Sequence, residues 1–377
     1  MTICFVSEYS VERLAVTRRR KKVHGVEAVV LVGGKGTRLR PLTLSAPKPM
    51  LPTAGVPFLT HLLSRIKEAG ITHVVLGTSY KAEVFEEYFG DGSRLGLELE
   101  YVVEEVPLDT AGAIRNVADK LREPDVMVFN GDILSGVDLT GIVDTHRKHE
   151  ADVTLHLVKV ADPRAFGCVP TDDEGRVQAF LEKTENPPTD QINAGCYVFR
   201  RDVIDAIPAG RPVSVERETF PGLLEAGRRL QGHVDATYWL DQGKPEAFVQ
   251  GSADLVRGVA PSAAIAEPGE FLVLEGSSIH AGATVRGGSA VGSNCTVADG
   301  AVLDGAILFD GAVVVEGAIV ERSIVGAGAL VQAGAVLRDA VVGDAAVIGA
   351  RCELIGGARV WPGVVLPEAG VRFSTDA

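Results

Sequence analysis

The chain has 377 residues, 46% of them apolar, and its 37 basic and 50 acidic side chains give a formal net charge of −13. A chain of this length is expected to form two domains, each large enough to bury a core. The acidic balance disfavours a nucleic-acid-binding surface, and no apolar run approaches the ~20 residues that cross a bilayer. We therefore expect partners that are neither nucleic acids nor membranes.

The cysteines and the N-terminus bear on the cellular compartment. The five cysteines are scattered without a C-x-x-C pair, which argues against a disulfide framework and against a zinc site. Residues 1–26 place a short apolar start before a basic cluster at 18–22, which is the reverse of the order in a secretory signal. We expect a cytoplasmic protein in which residues 1–26 form a mobile extension.

Residues 27–255 form the first predicted domain, in which short apolar runs alternate with amphipathic stretches. The predicted elements are strand 28–32, helix 59–66, strand 74–76, helix 82–89, helix 111–121 and strand 126–129. Strand–helix alternation of this kind implies a mostly parallel α/β sheet. Ligands of such sheets bind at the carboxyl ends of the strands, where the glycine-rich loop after residue 32 and residues 130–132 both fall.

The sequence changes character after residue 255. Residues 256–270 contain two prolines and are typical of a linker, whereas residues 271–377 are rich in Gly, Ala and Val. Aliphatic residues recur there every six positions, in the series Ile279, Val285, Val291, Val297 and Leu303; Val302, Leu308, Val314 and Val320; and Ile324, Leu330, Val336, Val342, Ile348, Leu354, Val360 and Leu366. This period predicts a parallel β-helix in which three hexapeptides form one coil and each aliphatic side chain points inward.

The glycine-rich loop carries the strongest chemical signal in the chain. Between residues 31 and 52 it contains four cations, Lys35, Arg38, Arg40 and Lys48, and no Asp or Glu. Its glycines let backbone N–H groups approach phosphate oxygens, and its cations offset the charge that moves onto a departing pyrophosphate. The loop lacks the third glycine of a dinucleotide fingerprint, and the chain has no G-x-x-x-x-G-K-[ST] pattern. The sequence therefore predicts a nucleoside triphosphate site of another class.

The loop pattern G-G-x-G-T-R-L-x-P-L-T, followed by P-K-P-M-L-P, resembles that of the sugar-nucleotide pyrophosphorylases, which join a sugar 1-phosphate to a nucleoside monophosphate. Six further motifs continue the resemblance, at residues 129–132, 164–169, 180–183, 192–199, 214–221 and 238–245. The last two resemble the mannose-1-phosphate guanylyltransferase branch in particular. The resemblance covers residues 27–370 and implies a Rossmann-like nucleotidyltransferase domain with a mixed, mostly parallel sheet, followed by a left-handed parallel β-helix.

The resemblance implies that GTP and mannose 1-phosphate are the substrates. Arg38 would then lie against the β and γ phosphates, Lys48 against the α-phosphate or the sugar phosphate, and Lys183 against the sugar phosphate. The residues implied to bind the substrates are Leu31, Gly33, Gly34, Gly36, Thr37, Gly112, Asn130, Gly131, Gly167, Glu182, Asn193 and Gly195. No general base is needed, because a phosphate monoester is already an anion at neutral pH.

Two aspartates are implied to be metal ligands. Asp132 ends a Gly-Asp pair after a predicted strand, and Asp241 lies in a W-x-D-x-G motif. Their oxygens suit Mg²⁺, which is the one cofactor that the resemblance implies. The resemblance also implies that the nucleotide base is held near Gly33, Gly34 and the loop at residues 107–112. Many relatives have glycine where this loop has Asp109, and Asp tolerates the positive φ available to glycine better than most residues do. This departure leaves the choice of nucleotide base open.

Other interpretations remain open at this point. A glucose-1-phosphate uridylyl- or thymidylyltransferase would show the same loop. The β-helix also suggests an acyltransferase, which the lone His280 after residue 233 disfavours, or a non-catalytic regulatory or scaffold subunit, which the intact cations disfavour. Glu216 and Glu218 are interpreted as helix or surface charges. Because the flat faces of a β-helix suit self-association, we expect a homo-oligomer.

Overall fold

The computed structural model describes residues 5–6 and 22–372, so most of the predicted N-terminal extension lies outside the described residues. The described chain packs as two compact units. The sheet unit comprises residues 22–34 and 62–239, and the β-helix unit comprises residues 35–61 and 240–372 together with 5–6. None of the helices in these residues has the length and apolarity that a membrane-spanning segment requires.

The helices and strands up to residue 256 are numbered along the chain. To residue 103 they are β1 (Phe5–Val6), β2 (Val26–Leu31), β3 (Pro52–Thr53), β4 (Val56–Pro57), α1 (Phe58–Glu68), β5 (His73–Thr78), α2 (Glu83–Phe89) and β6 (Glu98–Val103). To residue 205 they are α3 (Asp109–Asn116), β7 (Asp125–Asn130), β8 (Ile133–Ser135), α4 (Leu139–Lys148), β9 (Val153–Lys159), β10 (Gly167–Cys168), β11 (Leu181–Glu182), β12 (Gln191–Arg200) and α5 (Arg201–Asp205). Then follow α6 (Phe220–Glu225), β13 (Leu230–Asp235), β14 (Trp239–Asp241) and α7 (Pro245–Val256).

The sheet unit is built on nine strands in the order β11-β10-β12-β7-β2-β5-β6, with β9 beside β12 and β13 beside β9. The strands β2, β5, β6 and β7 are parallel to their neighbours within this group, and β12 runs antiparallel to β7. This arrangement confirms the predicted mixed sheet. Four of the described strand pairings in this sheet are parallel and four are antiparallel, so the sheet is mostly parallel only at β2, β5, β6 and β7. The central strands are buried on both faces, which explains why they are near-continuous apolar runs in the sequence.

The β-helix is built from seventeen short strands in three parallel sheets. They are β15 (Phe271–Leu274), β16 (Ser278–Ile279), β17 (Thr284–Arg286), β18 (Ser289–Val291), β19 (Thr296–Val297), β20 (Val302–Asp304), β21 (Ile307–Leu308), β22 (Val313–Val314), β23 (Ile319–Glu321), β24 (Ile324–Val325), β25 (Leu330–Val331), β26 (Val336–Arg338), β27 (Val341–Val342), β28 (Val347–Ile348), β29 (Glu353–Leu354), β30 (Arg359–Val360) and β31 (Val365–Leu366). Each strand pairs with the strand one coil later, for example Val314 with Val331. The predicted left-handed parallel β-helix is therefore present.

The spacing of the interior side chains differs in part from the prediction. The interior positions advance by six residues within a coil but by five from Leu303 to Leu308, and by five again at the two corresponding steps that follow. The prediction is consequently wrong for four side chains that were expected to point inward, namely Val302, Ile324, Leu330 and Val336. Their neighbours fill the interior instead, because one side of these coils is a residue shorter and both residues of each pair are aliphatic.

One outer face of the β-helix is apolar and buried. The outward side chains of Ile307, Ile324 and Val341, on β21, β24 and β27, are at most 2% exposed. They form one cluster with Leu39, Leu42, Leu51, Phe248, Val249 and Phe309. Burying an aliphatic side chain of this size stabilises a fold by roughly 1.5–3 kcal/mol. We call this surface the covered face, and the residues from 39 to 51 are held on it.

His61 ties the end of this segment to the predicted linker. Its ring is fully buried, with Nδ1 2.7 Å from Oγ of Ser262 and Nε2 2.9 Å from the carbonyl oxygen of Thr53. A carbonyl can only accept, so Nε2 carries the proton and donates it, while Nδ1 accepts from the serine hydroxyl. Burial lowers the pKa of His61 to about 4.

Acidification is expected to remove the stability that neutral His61 contributes. The pKa of His61 falls from 6.5 to about 4 on folding, so its contribution is complete above pH 6.5 and is lost as the pH falls toward 4. We expect the destabilisation caused by His61→Gln to shrink by about 2 kcal/mol between pH 7 and pH 5 in chemical unfolding. His24→Gln, at an exposed histidine, is the control. A His61→Gln effect that is equal at both pH values would contradict this account.

Candidate active site

The predicted site residues are divided between the two units. The β-helix unit holds Gly36, Thr37, Arg38, Lys48 and Asp241. The sheet unit holds Leu31, Gly33, Gly34, Gly112, Asn130, Gly131, Asp132, Gly167, Glu182, Lys183, Asn193 and Gly195.

The cation loop, defined as residues 35–52, is a series of three 3-10 turns: Thr37–Leu39, Leu42–Leu44 and Lys48–Met50. Gly36 precedes the first turn with a φ of 55°, and its carbonyl oxygen accepts a 3.0 Å hydrogen bond from Oγ1 of Thr43. A Cβ on Gly36 would lie 2.9 Å from the methyl group of Thr43 and 3.1 Å from Cβ of Lys48. Glycine therefore lets the loop fold back on itself, and Lys48 is buried within it.

Arg38 and Asp241 lie beside the same glycine. Oδ1 of Asp241 accepts a 2.8 Å hydrogen bond from the backbone N–H of Gly243. A Cβ placed on Gly243 would lie 2.7 Å from Cζ of Arg38, so the guanidinium rests directly on the glycine backbone. The fold thus brings a predicted catalytic cation next to a predicted metal ligand, although the two are far apart in the sequence.

In the sheet unit, the carboxyl ends of β2 and β7 lie side by side, with Leu31 paired to Asn130. The N–H of Gly131 donates to the carbonyl of Leu31 at 2.9 Å, and a Cβ on Gly131 would lie 2.6 Å from that oxygen. Any larger residue would push the strands apart, and Asp132 follows at once. At Gly34, by contrast, no described atom lies within 4 Å of an added Cβ, so the fold itself does not require glycine there.

A buried tyrosine connects the asparagines of the site. The hydroxyl of Tyr197 accepts a 2.7 Å hydrogen bond from Nδ2 of Asn193 and is also hydrogen-bonded to Asn130. Oδ1 of Asn193 accepts from the N–H of Gly195, whose φ is 75°. A Cβ on Gly195 would lie 2.8 Å from Nδ2 of Asn130. The sequence motifs predict the asparagines and the glycine as site residues but not the tyrosine that orients them.

Glu182 is the last residue of the edge strand β11, and Lys183 follows it. Glu182 pairs with Gly167 on β10, where a Cβ would lie 2.8 Å from the ring of Phe180 and 3.1 Å from Oε2 of Glu182. Nζ of Lys183 lies 3.2 Å from Oε1 of Glu182, and both side chains are accessible to solvent. The pair therefore offers a carboxylate and an ammonium group side by side to a ligand.

The predicted base-binding loop, residues 107–112, is fastened on two sides. The N–H groups of Ala111 and Gly112 both donate to the carbonyl of Val213, and the N–H of Val213 donates to the carbonyl of Leu108. The N–H of Leu108 also donates to Oε1 of Glu104 at 2.5 Å, and a Cβ on Gly33 would lie 3.4 Å from Oε2 of that glutamate. Glu104 therefore lies between this loop and the glycine turn after β2.

Asp109 has the positive φ that was expected of it, at 58°. Its Oδ1 accepts a 2.8 Å hydrogen bond from the N–H of Thr110, and its Oδ2 lies 2.9 Å from Nη2 of Arg217. The carboxylate is thus paired with a guanidinium within the sheet unit.

Glu216, interpreted from the sequence as a helix or surface charge, lies near the charges of Glu182 and Asp109. It lies in a π-helical turn, Val215–Thr219, and its Oε2 accepts a 3.0 Å hydrogen bond from Oγ of Ser214. Burial raises the pKa of Glu216, and the nearby charges of Glu182 and Asp109 raise it further. π-helical turns are rare and often occur at functional sites, but no sequence pattern predicts them.

A separate cluster of ligand-type side chains lies at the opposite ends of the strands. Within the described part of the chain, His73, Glu98 and Glu100 present ligand atoms within 4.8 Å of one another at the starts of β5 and β6. Arg122 contacts both glutamates, and Nδ1 of His73 lies 2.6 Å from the buried carboxylate of Glu27, which raises the pKa of the histidine. Their charges are already compensated, so we interpret this cluster as an ion-pair network.

Two known families match the chain. The family described as Nucleotidyl transferase matches residues 27–258, and the family described as GMPPB C-terminal domain matches residues 268–371. A mannose-1-phosphate guanylyltransferase of Mycobacterium tuberculosis is 66% identical over 355 residues, which are 94% of this chain and 99% of that protein.

More distant relatives match about three fifths of the chain. A mannose-1-phosphate guanylyltransferase catalytic subunit beta of Drosophila melanogaster is 37% identical over 232 residues, which are 60% of this chain and 62% of that protein. The crystal structure of HddC from Yersinia pseudotuberculosis complexed with GMP-PN is similar with a TM-score of 0.54 and 27% identity, over 61% of this chain and 99% of that chain. This likeness confirms the Rossmann-like nucleotidyltransferase fold.

The packing at Gly243 yields a prediction. In Gly243→Ala the new methyl group would displace the guanidinium of Arg38, and we expect kcat for the transfer reaction to fall about tenfold because the cation is misplaced. The thermal midpoint is expected to change little, since the displaced atoms are the far end of a flexible side chain. Gly222→Ala is the matched control, because no described atom lies within 4 Å of its new methyl group. Wild-type kcat in Gly243→Ala would show that the position of Arg38 is unimportant.

Proposed function

Because this chain belongs to the nucleotidyl transferase family and to its mannose-1-phosphate guanylyltransferase branch, we propose that it joins GTP and mannose 1-phosphate to give GDP-mannose and pyrophosphate. The observation that carries this proposal is the contact of Arg38 with Gly243 beside Asp241, which assembles a phosphate-binding cation and a carboxylate in the β-helix unit. The two-substrate reaction requires both kinds of group.

In the proposed reaction, a phosphate oxygen of mannose 1-phosphate attacks the α-phosphorus of GTP in line. A new P–O bond forms, the bond from the α-phosphorus to the bridging oxygen breaks, and pyrophosphate leaves with the electron pair. Arg38 stabilises the charge on the departing pyrophosphate, and Lys48 lies against the α-phosphate or the sugar phosphate. Lys183 holds the sugar phosphate, exchanging part of its pairing with Glu182 for a phosphate oxygen.

The proposed substrate contacts divide by chemistry. Close backbone approach suits the nucleotide, at Leu31, Gly33, Gly34, Gly36, Thr37 and Gly112. Polar side chains and turns suit the sugar, at Asn130, Gly131, Gly167, Glu182, Asn193, Gly195 and, in addition, Glu216. A carboxylate accepts hydrogen bonds from two hydroxyls at once, so Glu182 and Glu216 are well suited to a hexose.

We propose Asp132 and Asp241 as ligands of Mg²⁺. Asp241 keeps its orientation through the N–H of Gly243, and its remaining oxygen is the hard donor that Mg²⁺ prefers. When bound, the ion would neutralise phosphate charge and orient the attacking oxygen. Members of the family generally use a divalent metal, and the neutralised cluster around His73 does not offer a second site for it.

Further proposals concern the chain as a whole. The predicted domains, with an extension at 1–26, a nucleotidyltransferase domain at 27–255, a linker at 256–270 and the β-helix at 271–377, remain the proposed organisation. A cytoplasmic location is proposed, since the four cysteines within the described residues are free and buried. We also propose a homo-oligomer, for which the exposed Trp361 and Val365 of the last coil offer an apolar surface.

A matrix of substrates tests the proposed reaction. Release of pyrophosphate is measured for GTP, UTP, dTTP and ATP, each with mannose 1-phosphate and with glucose 1-phosphate in the presence of Mg²⁺. We expect kcat/KM to be highest for GTP with mannose 1-phosphate, by at least about tenfold over every other pair. A preference for UTP or dTTP with glucose 1-phosphate would replace the proposal with that activity, and turnover of no pair would favour a scaffold subunit.

A substitution in the cation loop tests the mechanism. Arg38→Ala removes the group that offsets the charge of pyrophosphate, and we expect kcat to fall by on the order of 10²-fold or more. Arg40→Ala, at an exposed cation two residues away, is the matched control and is expected to retain kcat. Equal losses in the two variants would indicate a general electrostatic effect and would contradict the role given to Arg38.

A further inference from the structure

Arg359 occupies the next rung of the covered face. On β30 it is paired with Val341 of β27, so it follows Ile307, Ile324 and Val341 in the same outward column. The three preceding positions of this column carry an aliphatic side chain, whereas position 359 carries a guanidinium group. Its Nη1 donates to the carbonyl oxygen of Arg38 at 2.8 Å and to that of Arg40 at 2.7 Å.

These carbonyls lie at the end of the first 3-10 turn of the cation loop, Thr37–Leu39. The last carbonyl groups of a helical turn have no partner within it and require an outside donor. One guanidinium nitrogen carries two hydrogens and supplies both bonds. The backbone is thereby held on either side of Leu39, which is itself buried against the covered face.

The other arginines of the β-helix behave differently. Each of them forms an ion pair with a carboxylate of the β-helix, as found for Arg286, Arg322, Arg338, Arg351 and Arg372. From residue 271 to residue 372, Arg359 is the arginine whose donors go to the cation loop instead. Its position is therefore not explained by the coil-to-coil pairing that accounts for the others.

We propose that Arg359 is a positioning residue for nucleotidyl transfer, which holds the backbone of the cation loop so that the side chain of Arg38 stays in place. The inference rests on the catalytic role proposed for Arg38. The backbone of Arg38 is fixed by Arg359, and its guanidinium lies on Gly243. Both contacts come from the β-helix unit, so this part of the chain acts on the reaction through the loop.

Kinetics of the full chain test the proposal. Arg359→Ala is expected to lower kcat with GTP and mannose 1-phosphate about tenfold and to leave KM nearly unchanged, because the cation is misplaced rather than removed. Arg359→Lys lacks the planar guanidinium group, so we expect its kcat to lie between those of the wild type and Arg359→Ala. Arg322→Ala removes an exposed ion pair with Asp339 on the same β-helix and is expected to keep wild-type kcat.

A double variant distinguishes positioning from a purely structural role. In an Arg38→Ala background, adding Arg359→Ala is expected to lower kcat further by less than about twofold, because its effect passes through the side chain that is already missing. If the two losses multiply, or if Arg359→Ala lowers the thermal midpoint while kcat stays at the wild-type value, the proposal is overturned.

Hydrogen exchange separates failure of this inference from failure of the proposed function. In Arg359→Ala, the amides of residues 37–44 are expected to exchange faster than in the wild type, and in Arg322→Ala at the same rate. Unchanged exchange in Arg359→Ala overturns the inference even if the wild type uses GTP and mannose 1-phosphate. If exchange is faster in Arg359→Ala but the wild type turns over no substrate pair, Arg359 does stabilise the backbone of the cation loop and the proposed reaction is rejected.

Discussion

The covered face of the β-helix is the contact on which the cation loop depends. A β-helix buries its inward side chains in any case, but here Ile307, Ile324 and Val341 are also buried on the outside, with Leu39 and Leu42 in the same cluster. Short 3-10 turns have weak hydrogen-bond geometry and do not hold a loop by themselves. The conformation of the loop is consequently stabilised by apolar burial on a rigid stack. Lys35, Arg38 and Arg40 are exposed to solvent, whereas Lys48 is buried within the loop.

In the sheet unit the corresponding constraint is close approach of the backbone. Gly131 lies so near the carbonyl of Leu31 that no side chain fits, and Gly195 lies just as near the amide of Asn130. These glycines let the ends of β2, β7 and β12 converge, and the hydroxyl of Tyr197 then joins Asn130 to Asn193. Rigid elements with buried, satisfied polar groups hold a site in one geometry, which is what a reaction based on positioning requires.

Sequence patterns predicted the architecture because burial leaves periodic marks in the chain. They failed where either of two neighbouring side chains could point into the β-helix. Ile324 and Val325 are both aliphatic, so a period of six fits either residue. The side of the coil that is one residue shorter places Val325 inside and Ile324 outside. Arg359 could not be predicted, because its partners are backbone carbonyls and every residue has one. The surroundings of Glu216 were hard to predict for a related reason, since the π-helical turn that carries it depends on packing rather than on a motif.

Asp109 shows how a departure from a family pattern is compensated. It adopts the left-handed φ that glycine would supply, helped by the hydrogen bond from Thr110 to its own carboxylate. Without a cationic partner, the carboxylate of Asp109 would repel an anionic nucleotide. Arg217 pairs with that charge at 2.9 Å, and because Arg217 belongs to the turn that carries Glu216, the pair also joins the predicted base loop to the proposed sugar contacts. The substitution therefore keeps the loop geometry and its charge balance, and it does not argue against a guanine nucleotide.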